Sequence, residues 1–234
     1  MIAAAQHCIV LAGGLGTRLR SAVADRPKCL AQVGARAFID IQIDSLRAAG
    51  VGDVILSLGH MAAMVVQAVA ASQVGRPVRH VVEPALLGTG GAIAYALNTL
   101  GLDEVLVANG DTYLSGDIAG MLAPLRRSEG ELFRMALVQV PDRQRFGGVA
   151  VGPDGRVAGF VEKGHAGAGP INAGLYRLCR AALPAARTGA YSLEADVLPG
   201  LVAQQAVSAR AIEGEFTDIG VPEDYFRFCA QHGG

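Results

Sequence analysis

The sequence predicts an α/β fold in which helices cover both faces of a parallel sheet. Over the first 140 of the 234 residues, short apolar segments alternate with segments of helical periodicity, and the links between them are short. A loop with three glycines follows the first apolar segment directly. This alternation indicates βαβ units, whose crossover helices make the strands parallel and bury both faces of the sheet.

The elements of the first half follow one another in a regular order. Apolar strands are predicted over residues 8–12, 53–58, 78–82 and 104–108. Helices are predicted over residues 38–49, 62–71 and 91–99.

The pattern changes after Pro141. Two strands, residues 148–151 and 156–161, flank Pro153-Asp154-Gly155, which is typical of a hairpin turn. Two further strands are predicted over residues 171–178 and 207–212, and two helices over residues 193–203 and 222–230. Because there is no internal repeat and no long linker, we expect one domain over residues 1–234, with an antiparallel lobe inserted into the α/β unit.

The composition argues against several classes of protein. No stretch of eighteen apolar residues could cross a membrane, and the N-terminus lacks the basic segment of a signal peptide. The four cysteines lie far apart, which favours reduced thiols in a cytoplasm over zinc or disulfides. A net charge of −1 argues against nucleic-acid and membrane-surface partners, and 51% hydrophobic residues are compatible with a homo-oligomer.

The loop after the first strand reads Leu11-Ala-Gly-Gly-Leu-Gly-Thr-Arg-Leu19. Its glycines let backbone N–H groups approach an anion closely. It is not a P-loop, because no Gly-Lys followed by Ser or Thr occurs in it, and Leu19 breaks a dinucleotide fingerprint. A plain turn between strand and helix is the alternative. Arg18 in the loop, and Lys28 after Pro27, favour phosphate chemistry over two solvated cations.

The glycine loop together with Arg26-Pro27-Lys28 resembles the signature of the nucleoside-diphosphate-sugar pyrophosphorylases, which are sugar-1-phosphate nucleotidyltransferases. Within that family, residues 19–28 are most similar to the D-glycero-D-manno-heptose 1-phosphate guanylyltransferases. The resemblance extends along nearly the whole chain. It implies a Rossmann-like fold with a mixed, mainly parallel central sheet flanked by helices. It also implies a nucleotide-binding half, residues 1–140, and a sugar-phosphate-binding half, residues 141–234.

The resemblance assigns the nucleotide to two loops and to the end of one strand. Arg18, Lys28 and Asp111 would be catalytic, the first two on the departing pyrophosphate. The base would lie against residues 87–91, although an open helix N-terminus capped by Thr89 is the structural alternative. The nucleotide-binding residues would be Leu11, Ala12, Gly13, Gly14, Gly16, Thr17, Arg18, Lys28, Glu83, Leu87, Gly88, Thr89, Gly90, Asn109 and Gly110.

Two carboxylates are the candidate ligands of Mg²⁺. Asp111 follows the strand over residues 104–108, and the carboxyl end of a parallel strand faces the ligand crevice. Carboxylate oxygens suit magnesium on a triphosphate. A turn at Asn109-Gly110-Asp111 is the structural alternative for the first carboxylate. Asp218 precedes Gly220 and Pro222, where a capping acid is the structural alternative. The resemblance implies that both bind the metal, although Val221 replaces a threonine of the family pattern.

The sugar phosphate is expected in the second half of the chain. The resemblance assigns it to Gly148, Glu162, Lys163, Asn172 and Gly174. Glu162 and Asn172 suit hydroxyl groups, and Lys163 suits the phosphate; a solvated strand end is the alternative for the Glu-Lys pair. Glu194 would add a hydroxyl contact. The five histidines show no ligand spacing, although His60 could line the nucleotide crevice.

The expected reaction is a direct displacement. A phosphate oxygen of a sugar 1-phosphate attacks the α-phosphorus of a nucleoside triphosphate and pyrophosphate departs, with no need for a general base. GTP and heptose 1-phosphate are the substrates that the resemblance favours, for surface polysaccharide synthesis. Mannose 1-phosphate, or uridylyl or thymidylyl transfer to another hexose, remain alternatives. A non-catalytic nucleotide-sugar-binding regulatory subunit and a nicotinamide-dependent oxidoreductase are the alternatives from other classes.

Overall fold

The computed structural model describes residues 6–16, 19, 22–23, 25–72, 77–185 and 187–233. These residues form thirteen strands and six α-helices. The strands are β1 (His7–Leu11), β2 (Gln32–Val33), β3 (Arg36–Ala37), β4 (Asp53–Leu58), β5 (Arg79–Val82), β6 (Glu104–Asn109), β7 (Thr112–Leu114), β8 (Phe133–Val140), β9 (Gly148–Val151), β10 (Val157–Val161), β11 (Gly169–Cys179), β12 (Val207–Ala211) and β13 (Phe216–Asp218). The helices are α1 (Phe38–Ala48), α2 (Ala62–Ala71), α3 (Gly88–Leu100), α4 (Ala119–Leu122), α5 (Leu198–Ala203) and α6 (Pro222–His232).

Seven strands form the central sheet, in the order β12-β8-β11-β6-β1-β4-β5. The strands β5, β4, β1 and β6 run parallel, whereas β11 is antiparallel to both β6 and β8, and β12 is parallel to β8. Three two-stranded sheets, β9-β10, β7-β13 and β2-β3, are all antiparallel. The expected mixed, mainly parallel sheet with a small antiparallel lobe is therefore confirmed.

The central strands are apolar along their length because both faces of the sheet are covered. Val10 and Leu56 belong to the core on one face, and Ile9 and Ile55 to the core on the other. All four side chains are almost completely buried. Burial on both faces explains why these strands read as continuous apolar runs rather than as an alternation.

The predicted elements appear in the structure with small shifts of their ends. The hairpin turn at residues 153–155 joins β9 to β10. The helix predicted over residues 193–203 begins with a π-helical turn, Leu193–Val197, and continues as α5. No strand was predicted over residues 133–140, although β8 lies inside the sheet, and the short pairs β2-β3 and β7-β13 were not predicted either.

Among the described residues, no helix is long and apolar enough to cross a membrane.

Candidate active site

A cleft of about 500 Å³ opens at the carboxyl ends of the parallel strands. The loop after β1 and the Asn109–Asp111 turn after β6 form its floor, and the loop after β5 forms one wall. Ligands of open α/β sheets bind in this position. The described residues that line the cleft are Leu11, Ala12, Gly13, Gly14, Leu15, Gly16, Lys28, Cys29, Glu83, Leu86, Gly88, Thr89, Ala92, Asn109, Gly110, Asp111 and Glu194.

The glycine loop is held against its neighbours at Gly13 and is open at Gly14. A Cβ atom at Gly13 would lie 2.7 Å from Glu83 Oε1 and 2.8 Å from the backbone nitrogen of Gly59, so a larger residue would displace the loop. A Cβ atom at Gly14 would meet no heavy atom within 4 Å. The backbone around Gly14 can therefore be approached by a ligand. Thr17 and Arg18, the other predicted residues of this loop, lie outside the described residues.

The structure brings Lys28 and Asp111 together from positions 83 residues apart. Lys28 Nζ donates to Asp111 Oδ2 at 2.6 Å, and the two side chains are 13% and 32% exposed. A hydrogen bond of this length between an ammonium and a carboxylate group belongs to the strong, charge-assisted kind, and both side chains are largely removed from water. The ammonium group is thereby fixed at the floor of the cleft.

Asp218 lies beside this pair. The backbone N–H of Ile219 donates to the Asp111 carbonyl at 2.9 Å, and Asp218 Oδ1 accepts from the N–H of Gly220 at 2.6 Å. A Cβ atom at Gly220 would lie 2.6 Å from Asp218 Oδ1 and 3.0 Å from Lys28 Nζ. The second carboxylate and the ammonium therefore flank the same point. Asp218 does not cap α6, whose N-cap is Val221 with Pro222 at the first position of the helix.

Asp111 and Asp218 fit a magnesium ion that is completed by substrate phosphates. Their oxygens are the hard ligands that Mg²⁺ prefers, and Mg²⁺ is usually held by one or two carboxylates together with phosphate oxygens and water. Within the described residues no group of three or more His, Cys, Asp or Glu side chains forms a ready metal cage. Two carboxylates leave the remaining positions around such an ion to other ligands.

Glu83 is a half-buried acid on the wall of the cleft. Its Oε2 accepts from the backbone N–H of Leu87 at 3.2 Å, and its Oε1 lies 3.4 Å from the Ser57 hydroxyl. Burial raises the pKa of Glu83, and the hydrogen bonds from Leu87 and Ser57 oppose this effect. The carboxylate is thus held in a fixed position between the glycine loop and the start of α3.

Part of the predicted base-binding loop faces away from the cleft. A Cβ atom at Gly90 would lie 2.4 Å from the ring of Tyr191, and the carbonyl of Leu87 accepts from the Tyr191 N–H at 2.9 Å. Leu87 and Gly90 are therefore packed on the segment around Tyr191, whereas Gly88 and Thr89 line the cleft.

Thr89 does not cap its helix, because the N-cap of α3 is Leu87 and no side chain caps it. Instead the Thr89 hydroxyl accepts from the backbone N–H of Leu193 at 2.8 Å and donates to Glu194 Oε2 at 2.8 Å. These bonds tie α3 to the π-helical turn. As a result, Glu194 reaches the lining of the cleft.

Of the five predicted sugar-phosphate residues, Gly174 lies against the floor of the cleft. The described lining residues include none of the five. Gly174 is closely packed against Asn109 in the floor of the cleft, since a Cβ atom at Gly174 would lie 2.9 Å from Asn109 Nδ2. Asn172 donates to the Tyr176 hydroxyl at 2.8 Å and accepts from the Gly174 N–H at 2.9 Å.

The remaining three sugar-phosphate candidates lie on the β9-β10 lobe. Gly148 opens β9 and pairs with Val161, the last residue of β10. Glu162 and Lys163 follow that strand and are exposed. Neither of them is among the described residues that line the cleft.

Several lining residues were not predicted. Leu15 and Leu86, which are 44% and 51% exposed, place apolar surface on the cleft. Cys29 and Ala92 complete the lining. On the other side of the glycine loop, Lys28, Arg26 and His60 border a smaller recess of about 140 Å³. His60, which was expected to line the nucleotide crevice, borders this recess and is not among the described residues that line the cleft.

The composition contains a further signal. Lys28 and Lys163 are the only lysines among the 20 basic residues of the chain, and the others are arginines. Arginine and lysine are not interchangeable, because lysine presents a compact point charge and arginine a planar fork. Lys28 lies on the floor of the cleft, and Lys163 is exposed after β10.

An α/β fold whose cleft combines a glycine loop with Lys28 and several carboxylates is suited to chemistry on phosphate groups. Residues 7–232 match the family described as nucleotidyl transferase, and the chain belongs to this family. The resemblance found in the sequence is thereby confirmed, and the chain is a nucleotidyltransferase.

Three similar proteins are more specific than the family as a whole. A D-glycero-alpha-D-manno-heptose 1-phosphate guanylyltransferase of Campylobacter jejuni is 33% identical over 223 residues, which cover 95% of this chain and 98% of the relative. The crystal structure of HddC from Yersinia pseudotuberculosis complexed with GMP-PN superposes with a TM-score of 0.84 at 33% identity, covering 97% of this chain and 99% of that one. A mannose-1-phosphate guanylyltransferase of Mycobacterium tuberculosis is 32% identical over 95% of this chain, which spans 63% of that relative.

Proposed function

We propose that the protein transfers GMP from GTP to D-glycero-α-D-manno-heptose 1-phosphate and releases pyrophosphate. The observation that carries the proposal is the pairing of Lys28 with Asp111 at the floor of a cleft bounded by a glycine loop, with Asp218 beside the pair. The relatives that support this choice of substrates match the chain over almost their whole length. We place the reaction in the cytoplasm, where the product would serve surface polysaccharide synthesis.

The triphosphate is proposed to lie along the glycine loop. The open backbone at Gly14 would receive its phosphates, and Lys28 would neutralise the charge that accumulates on the departing pyrophosphate. The recess beyond Lys28 offers room for that product. Arg18 remains a proposed second cation for the same group.

Guanine is proposed to meet Glu83. The base carries N–H donors on the edge that pairs with cytosine, and a carboxylate is an acceptor that cannot donate when ionised. Glu83 is held in place by the Leu87 N–H, and Leu86 offers apolar surface to the ring beside it. A uracil or thymine ring presents one N–H between two carbonyl groups, and a fixed carboxylate would repel those oxygens.

The sugar phosphate is proposed to lie on the side of the β9-β10 lobe. Lys163 would bind its phosphate, and Glu162, Asn172 and the backbone near Gly148 and Gly174 would bind hydroxyl groups. The attacking phosphate oxygen is already ionised at neutral pH, so no side chain has to remove a proton.

Rate enhancement would come from position and charge. Lys28 binds and orients the triphosphate, while Asp111 and Asp218 would hold Mg²⁺. When bound, this ion supplies positive charge on the phosphate oxygens.

A panel of substrates tests the proposal. Pyrophosphate release is measured with GTP, UTP, dTTP and CTP, each combined with heptose, mannose and glucose 1-phosphates. We expect the highest kcat/KM for GTP with the heptose phosphate. A preference for mannose 1-phosphate would favour the second candidate, which the mannose-1-phosphate guanylyltransferase relatives support. Release with no pair would contradict the proposal and favour a regulatory subunit.

Glu83→Gln tests the recognition of guanine. An amide keeps one acceptor but also presents donors, so KM for GTP should rise by about tenfold and the preference for GTP over UTP should fall. Glu213→Gln is the control, since Glu213 is exposed and lies outside the cleft lining. An unchanged preference for GTP in the Glu83 variant would show that another group reads the base.

Asp111→Asn tests the metal site. The variant should lose kcat by about 10²–10³-fold and require more Mg²⁺, because an amide oxygen carries no net charge. Asp103→Asn is the control. Asp103 precedes the opposite end of β6, is 69% exposed and is paired with Arg127, so this variant should behave as the wild type. Full activity of the Asp111 variant at limiting Mg²⁺ would remove Asp111 from the metal site.

Chemical labelling of the two lysines tests where each substrate binds. An amine reagent can label only Lys28, Lys163 and the N-terminus of this chain. GTP should protect Lys28, whereas the sugar 1-phosphate should protect Lys163, as read by mass spectrometry of the labelled peptides. Protection of neither lysine by either substrate would contradict both placements.

A further inference from the structure

Residues 141–147 form a loop, here named the bridging loop, that is fixed to the segment carrying Glu162 and Lys163. The N–H of Gly164 donates to the Gln144 carbonyl at 2.8 Å, and the N–H of Arg143 donates to the Gly167 carbonyl at 3.0 Å. Asp142 Oδ1 also accepts from the Gly167 N–H at 3.2 Å. Three hydrogen bonds thus join the bridging loop to the residues that follow β10.

The end of the bridging loop is closely fitted to the same segment. Gly147 has a φ of +78°, a conformation that favours glycine. A Cβ atom there would lie 2.7 Å from the Val161 carbonyl oxygen and 3.6 Å from the backbone nitrogen of Lys163. A movement of the bridging loop would therefore displace the backbone that leads to Glu162 and Lys163.

The bridging loop also reaches the segment that carries Asp218. The ring of Phe146 packs edge-on against Phe216, with 5.7 Å between centroids. The Arg145 guanidinium donates to Asp224 Oδ2. Phe216 and Asp224 lie on either side of Asp218 in the chain, so the loop is attached to this segment at two points.

The contact between Arg145 and Asp224 is not needed merely to neutralise a buried acid. Asp224 is 2% exposed, and its other oxygen accepts from Arg227, one turn further along α6. Arg227 thus provides a counter-charge from within the same helix. What Arg145 adds is a connection between two parts of the chain, 79 residues apart.

We propose that Arg145 is a positioning residue that sets the Glu162–Lys163 segment at the correct distance from Asp218. Through Asp224 it holds the bridging loop, and with it the sugar-phosphate side of the cleft, in register with the metal side. The inference rests on the proposed function, because it assumes a sugar phosphate between these two segments. Small displacements of bound reactants reduce rates strongly, which is why such a connection matters for turnover.

Two variants that remove a guanidinium from the same carboxylate provide the test. Arg145→Gln breaks the connection to the loop, whereas Arg227→Gln removes a counter-charge of similar exposure, 55% against 47%. KM and kcat are measured for both substrates, GTP binding by calorimetry, and stability by urea unfolding. We expect Arg145→Gln to raise KM for the sugar 1-phosphate on the order of tenfold, with GTP binding unchanged. Arg145→Lys should restore most of this loss, and Arg227→Gln should leave both KM values unchanged.

Each other result overturns the inference. Equal effects of Arg145→Gln and Arg227→Gln would mean that only the charge of Asp224 matters. A parallel rise in KM for GTP, or no change in any constant, would show that the bridging loop does not set the sugar side. If the wild type releases no pyrophosphate with any sugar 1-phosphate, the proposed function fails and the inference fails with it. An active wild type with indistinguishable variants contradicts the inference alone.

Discussion

Glu131 should make the stability of the protein depend on pH in the acid range. Its side chain is 1% exposed and accepts from Arg134 at 2.7 and 2.8 Å, from the Arg126 N–H at 2.6 Å and from the Ser208 hydroxyl. Burial by itself would raise the pKa of Glu131. The hydrogen bonds from Arg134, Arg126 and Ser208 outweigh this effect and lower the pKa from 4.5 to about 2.

The sign and size of the effect follow from the two pKa values. Because the folded pKa lies below the unfolded value, the stabilisation by Glu131 is complete above pH 4.5 and is lost as the pH falls to about 2. The difference between the two pKa values corresponds to about 3 kcal/mol of unfolding free energy.

Urea unfolding of wild type and Glu131→Gln, from neutral pH down to about pH 3, measures this contribution. At neutral pH the variant should lose about 3–5 kcal/mol, because Arg134 stays buried without its carboxylate. The gap to the wild type should narrow as the pH falls below the unfolded pKa. Glu129→Gln, an exposed neighbour, should follow the wild type throughout. A gap that stays constant with pH would refute the reasoning.

Two further substitutions test the cleft and its support. Lys28→Met should lower kcat/KM by about 10²–10³-fold, because it removes the cation that Asp111 fixes at the floor, and activity near that of the wild type would contradict its role. Lys28→Arg should retain only part of the wild-type kcat/KM, because the planar guanidinium group replaces a compact ammonium charge. Gly90→Ala should destabilise the fold by about 1–3 kcal/mol in urea unfolding, because the buried ring of Tyr191 occupies the space. Gly200→Ala, in open space within α5, should not destabilise it, and equal losses would contradict the steric explanation.

The central strands could be predicted because their signal is local. β1 and β6 consist mainly of apolar residues. A short apolar run is enough to predict a strand in a sheet whose two faces are both covered. β8, which was not predicted, contains the buried Arg134. That arginine can be buried only since Glu131 and the carbonyls of Gly120, Ala123 and Pro124 accept its hydrogen bonds. Such an arrangement depends on the fold and is not visible in a short window of sequence.

In the candidate site, too, some residues could be predicted from the sequence and others could not. Lys28 and Asp111 could be proposed from their motifs, because strand ends and glycine loops occupy known places in an α/β sheet. The orientation of individual residues could not. Thr89 looks like a helix cap in sequence, yet its hydroxyl bonds to Leu193 and Glu194, more than a hundred residues away. The contact between Arg145 and Asp224 has no local signal either.

The continuity of the central sheet has a consequence for how the enzyme turns over. β11 is hydrogen-bonded to β6 through residues 175–179 on one side and to β8 on the other, so strands from both ends of the chain belong to one sheet. A continuous sheet of this kind opposes separation of its strands, and the loops at the strand ends are the parts that move most readily. Entry and exit must then depend on the loops at the rim, so solvent viscosity should affect kcat through loop motion and product escape.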